Sequence, residues 1–150
     1  WNTSVSYCNM LLNEAFRPEK RRHINHRPLL LEKDSWDEML ERWDEAIAFT
    51  RKSRFRAKYN VAPEFFYPYF LYYTGRARLM PFAQTLRHTG YCPLDNSVPL
   101  MAMRLARHNL WRTKTLTLND GFGAAPNPWV ERAIRSFLEK RYPVKSPFEA

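Results

Sequence analysis

His23 and His26 stand three residues apart in the basic run RPEKRRHINHR (17–27), close enough for two imidazoles to share one side of a turn. Two nitrogens alone do not make a zinc site. Structural zinc takes four ligands at short spacings, and no cysteine or third histidine lies nearby. The pair therefore reads as part of a solvated basic loop. The string NDGFGAAPNP offers Gly121 and Gly123 as a phosphate cradle, but no P-loop lysine follows and no strand pattern precedes it. It reads as a turn. His88 and His108 fall at helix ends, where a cation suits the dipole. Asp95 and Asp120 sit where caps and turns use carboxylates, and no Ser-His-Asp ordering or nucleophile elbow is present. The expectation from these residues is a chain with no catalytic residue, no cofactor and no metal, hence not an enzyme.

What chemistry remains is electrostatic. Lys and Arg number 24 against 15 Asp and Glu, a formal charge of +9 over 150 residues. Such a balance favours an anionic partner: nucleic acid, an acidic lipid surface or an acidic protein. The densest run is RKSRFRAK, where Arg51, Lys52, Arg54, Arg56 and Lys58 could neutralise phosphates while Phe55 or Tyr59 stacks on a base. The alternative is a solvated helix end in a basic protein. Cys8 and Cys92 form no CxxC pair, which suggests buried thiols in a reducing compartment, with one bridge still open.

The elements that position these residues read as helical throughout, and no alternating strand stands out. In SWDEMLERWDEAIAF, Ser35 and Glu38 form a capping box, and Trp36, Met39, Leu40, Trp43 and Ile47 make one apolar stripe. The helix is expected to run on into the basic segment 51–58. Residues 127–141 form the last helix, opened by Asn127 and Pro128. Residues 17–34 form a basic connector. The aromatic stretch EFFYPYFLYY is too short for the roughly 20 apolar residues of a spanning helix, so no membrane span is expected. At 45% hydrophobic content the whole chain, 1–150, is expected to form one domain of about seven short helices. The start at Trp1, with no charged and then apolar leader, suits a mature protein that has lost a targeting peptide, or a trimmed piece.

Residues 61–95 contain two amphipathic helices around Gly75-Arg76, ending in Gly90-Tyr91-Cys92-Pro93-Leu94-Asp95. Together with Phe66, Phe70, Leu71 and Leu86, this pattern resembles a pentatricopeptide (PPR) repeat. Residues 5–16 and the segment from 96 onward, with a degenerate second helix near 111–118, resemble flanking units. The resemblance implies an all-α fold of PPR-like hairpins stacked as a short solenoid. Such repeats read RNA through polar side chains on the first helix. Here Phe65 and Leu100 occupy those slots, so the base code is lost.

In size and helix count the chain also resembles a euglenozoan-specific PPR-like subunit of the mitochondrial F1-ATPase. That likeness implies a non-catalytic accessory subunit in the mitochondrial matrix, docked on the F1-ATPase alpha subunit. The docking surface would be Phe65, Tyr69, Leu100 and Arg104. Two alternatives stay open: an RNA-binding mitochondrial ribosomal or PPR protein, and an accessory subunit of a respiratory-chain complex.

Overall fold

The computed structural model describes residues 2–24, 28–111 and 113–144. Among them are seven helices and two strands: α1 (Asn2–Ala15), α2 (Lys33–Arg42), α3 (Asp44–Lys52), α4 (Pro63–Tyr73), α5 (Phe82–His88), β1 (Thr89–Pro93), α6 (Val98–Leu110), β2 (Thr115–Asn119) and α7 (Pro128–Arg141). The described residues divide into two compact units, 2–24 with 28–80, and 81–111 with 113–144.

The first unit is built around α4. Its residues Phe65, Phe66, Tyr67, Tyr69 and Phe70 are all buried, so the helix is apolar on every side and α1, α2 and α3 wrap it. Cys8 and Leu12 from α1, Met39 from α2 and Ile47 from α3 complete the core. Burying each large aromatic contributes about 1.5–3 kcal/mol, which is why this aromatic segment forms a core helix. Edge-on contacts of Trp43 with Phe66 (4.7 Å) and Phe70 (5.8 Å), and of Trp36 with Tyr67 (5.3 Å), fix ring orientation. The helix ends in a Schellman motif: Arg76 N donates to Leu71 O (2.9 Å), Gly75 N donates to Tyr72 O (3.2 Å), and Gly75 has φ +75°.

Two readings of this unit change. Ser35 and Glu38 do not cap α2, which starts earlier at Lys33 on Glu32 with no side-chain cap. Spaced by three on one helix face, both instead meet Arg76. Nor is there one helix from residue 35 into the basic run. Trp43, at φ −127° and ψ 43°, breaks it in two, and α3 stops at Lys52 because Ser53 is extended.

The second unit overturns the all-α expectation. β1 and β2 pair in parallel, with Thr89 opposite Thr115 and Cys92 opposite Leu118. Residues 115–119, expected as part of a degenerate helix, are a strand because Thr-Leu-Thr-Leu alternates with the period of a sheet. Gly90, expected where the helical hairpin ends, is a strand residue. A Cβ there would lie 2.9 Å from Leu116 Cδ1 and from Thr113 Oγ1, so glycine is the residue that lets the two strands close. A repeat unit over 61–95 therefore fails at its second half: α5 has only seven residues and runs directly into β1. The unit's core joins Cys92 to Met101 and Leu105 of α6 and to Val130, Ile134 and Phe137 of α7. Asn127 caps α7 by accepting from Trp129 N at 3.0 Å. The loop before it is a turn tied to Asn96, which donates to the Phe122 and Ala125 carbonyls and accepts from Asn127 N.

Among the described residues, no helix is long and apolar enough to cross a membrane.

Candidate functional site

Five cations fall within residues 51–58, Arg51 and Lys52 in the last turn of α3 and the others on the loop after it, and the structure gives that loop a fixed backbone. Thr50, in the last turn of α3, is the first anchor: its Oγ1 donates to Ala46 O (2.8 Å) and accepts from Val61 N (2.9 Å). Asn60 is the second. Its buried carboxamide accepts from Ala57 N, and its Nδ2 makes a long contact of 3.5 Å to Thr50 O. Helix α1 supplies the third anchor, with Ser4 Oγ donating to Ala57 O (3.1 Å) and Cys8 Sγ accepting from Ala62 N (3.2 Å). Ser4 and Cys8 are one helical turn apart, so α1 lies along the loop as a strap.

The cationic side chains point the other way. Arg51, Lys52, Arg54, Arg56 and Lys58 are all exposed. Arg54 stands 5.3 Å from the Phe55 ring centre and Lys58 5.2 Å from that of Tyr59. Tyr59 is itself held edge-on to Tyr7 (5.5 Å) and Phe49 (6.5 Å). The ion pairs among the described residues, Arg17–Glu19, Lys33–Asp37 and Arg76–Glu38, all lie elsewhere. The loop is thus an array of cations on a stapled backbone, a form suited to phosphate oxygens.

A second fixed segment belongs to the same unit. The connector, expected as a solvated basic loop, is bound over residues 17–22. Arg21 Nη1 donates to Asn13 Oδ1 (2.6 Å) and Asn9 Oδ1 (3.2 Å), and its guanidinium covers the Tyr73 ring at 4.9 Å. Tyr69 donates to Arg22 O (2.7 Å) and Tyr73 to Glu19 Oε2 (2.8 Å). Burial pushes both tyrosine hydroxyls above their ordinary range, and the Tyr73 hydrogen bond lowers the Glu19 carboxyl. The exposed His23 ring then sits edge-on to Phe65 at 6.5 Å. His26 lies outside the described residues. Among those that are described, no group of three or more His, Cys, Asp or Glu could hold a metal ion.

Of the docking residues expected from the sequence, Phe65 and Tyr69 lie in the core of the first unit. They are 2% and 5% exposed, packed on each other with ring centres 5.1 Å apart, and a buried ring offers a partner nothing. Leu100 and Arg104 belong to α6 in the second unit, where Arg104 is spent on the Pro93 carbonyl at 2.5 Å. Sequence reasoning found the cations but missed what holds them. Asn60, just before the Val-Ala-Pro-Glu start of α4, was the available signal, since Asn favours such turns.

Comparison with known proteins bears on this unit directly. Residues 25–73 match the family model described as Stealth protein CR3, conserved region 3. Across 145 residues, 93% of the chain, the sequence is 31% identical to an exopolysaccharide phosphotransferase of Streptomyces coelicolor. Across 143 residues it is 30% identical to the exopolysaccharide phosphotransferase CpsY of Mycobacterium tuberculosis, and equally to that of Mycobacterium bovis. The chain spans only 23% and 26% of the lengths of these relatives.

These similarities overturn the PPR resemblance, and with it the F1-ATPase subunit, the alpha-subunit partner, the RNA-binding alternative and the respiratory-complex alternative. The relatives are bacterial, which corrects the mitochondrial matrix assignment, and they are named as transferases, which corrects the expectation of a non-catalytic chain.

Proposed function

We propose that this chain is part of an enzyme that transfers a sugar phosphate to a polysaccharide, and that residues 51–58 contact the phosphate. The observation behind this is that the Stealth match at 25–73 takes in α2, α3, the whole stapled basic loop and α4. Transfer of an intact sugar phosphate breaks the phosphoanhydride P–O bond that joins it to a departing nucleotide of the donor and forms a P–O bond to an acceptor hydroxyl, which gives up its proton. Catalysis of that step is mostly positioning and charge stabilisation of the transferring oxygens. Arg54, Arg56 and Lys58 supply positive charge, and the Thr50–Asn60 staple supplies the positioning. Arg can offer two parallel N–H donors to a phosphate, Lys a single mobile charge.

The test is transfer of 32P from a nucleoside diphosphate sugar, labelled at the sugar-bearing phosphorus, to polysaccharide by the protein that bears this chain. Arg54→Gln with Arg56→Gln should lower transfer by about tenfold or more, the scale of losing one or two charge-assisted hydrogen bonds. Transfer by the double variant at the unsubstituted rate would remove the loop from the reaction.

A further inference from the structure

The second unit holds a cationic cleft of its own. A cavity of about 570 Å³ is lined by Asn109, Thr113, Lys114, Lys140, Arg141 and Tyr142, a size within the roughly 300–1,000 Å³ of small-ligand sites. Arg141 is its fixed element. Nη1 donates to His108 O (3.0 Å) and Nη2 to Thr113 O (2.8 Å), so the guanidinium is clamped between the end of α6 and the start of the segment leading into β2. Those acceptors are neutral carbonyls and leave its charge in place. Lys114 follows one clamped residue in the chain and Lys140 precedes the other, and both are exposed at the cavity. The hydroxyl of Thr113, a residue only 7% exposed, has no hydrogen-bond partner. The ion pairs among the described residues all belong to the first unit, so none neutralises these three cations.

We propose that this cleft binds a phosphate-bearing sugar. Three positive charges around one cavity call for a multiply charged oxyanion. The volume exceeds a bare phosphate and leaves room for an attached ring. Tyr142 provides an aromatic wall for the C–H face of a pyranose, and the Asn109 carboxamide offers both a donor and an acceptor to hydroxyls. The assignment stands on this cleft and not on the transferase reading, because a site can hold a sugar phosphate without reacting it.

Calorimetric titration of the chain with glucose 1-phosphate tests it. Lys114→Gln with Lys140→Gln should weaken binding about tenfold, as expected for two lost charge-assisted contacts. Both lysines are exposed, so the variant's thermal midpoint should stay within a degree or two of the parent. Inorganic phosphate and glucuronate should each bind more weakly than glucose 1-phosphate. The proposal is overturned if the parent does not bind glucose 1-phosphate, if the lysine variant binds it equally well, or if a short oligonucleotide or bare phosphate is preferred. A parallel variant, Arg54→Gln with Arg56→Gln, separates the two sites. If it alone loses the ligand, the cleft assignment fails while the loop reading survives.

Discussion

Nη2 of Arg76 lies 2.5 Å from Oε2 of Glu38, and Nη1 of the same guanidinium donates to Ser35 Oγ at 3.1 Å. One side chain from the turn after α4 therefore ties down two successive positions on the inner edge of α2. The charged ends are 41% and 44% exposed, so water screens the pair and the ion pair alone contributes under about 1 kcal/mol. Ser35 is buried and also donates to Glu32, so removing the arginine costs a second bond. Glu38→Gln should lower stability by about 0.5 kcal/mol and Arg76→Gln by about 1–1.5 kcal/mol in urea unfolding. A larger loss for Glu38→Gln than for Arg76→Gln would show that Ser35 gains nothing from the contact.

Two glycines should respond differently to the same substitutions. Gly75 has a left-handed backbone with open space around it, so Gly75→Ala costs only conformational strain, about 1 kcal/mol, and Gly75→Asn recovers part of it. Gly90 has an ordinary backbone but no room. Gly90→Ala should cost about 1–3 kcal/mol through contact with Leu116, Thr113 and His108, and Gly90→Asn more. Thermal midpoints of the four variants check the opposite ordering of Ala and Asn at the two sites.

The staple beneath the basic loop can be separated from the charges above it. Asn60→Ala removes a buried carboxamide that accepts from the Ala57 N–H and should destabilise the protein by about 1 kcal/mol or more. Arg54→Gln, at an exposed position, should stay within about 0.5 kcal/mol of the parent. Chemical denaturation distinguishes them, and a stability loss for Arg54→Gln equal to that of Asn60→Ala would mean the arginine is structural.

Alkaline pH should weaken the first unit. Burial among α1 and α4 pushes the Cys8 thiol from its ordinary value of 9.0 to about 11, outweighing the Ala62 amide that favours the thiolate. A raised folded-state value means stability is intact below pH 9, where both states are protonated. It is lost as pH rises from 9 towards 11, because only the unfolded chain can ionise. At pH 10 the loss from Cys8 is about 1 kcal/mol, and Tyr7 and Tyr69, also raised by burial, act in the same direction. Urea midpoints at pH 8 and pH 10 measure it, and Cys8→Ser should reduce the difference. An unchanged midpoint would contradict the burial.

How much of this was legible in the sequence depends on how local each signal is. Asn127 and Pro128 mark the start of α7 in sequence and structure alike, because a cap involves neighbours two residues apart. Gly75 reads as a turn for the same reason. The strands do not read, since each has five residues and TGYCP contains both a glycine and a proline. What makes Gly90 a strand residue is Leu116, twenty-six positions away, and no spacing rule sees that. The mistaken repeat arose in the same way, from a glycine turn and a Gly-x-x-Pro exit that are individually common. In the candidate site the charges of residues 51–58 were visible as composition. The anchors were not, because Ser4 and Cys8 reach Ala57 and Ala62 across more than fifty residues.

The parallel register of β1 and β2 also dictates an order of events during synthesis. Antiparallel neighbours can zip through a tight hairpin, whereas parallel ones must wait for a crossover. Cys92 cannot meet Leu118 until the thirteen residues of α6 have left the ribosome and doubled back. Until then the nascent first strand offers an open backbone edge and an unburied thiol, so this half of the chain has its window of misassembly while still being made.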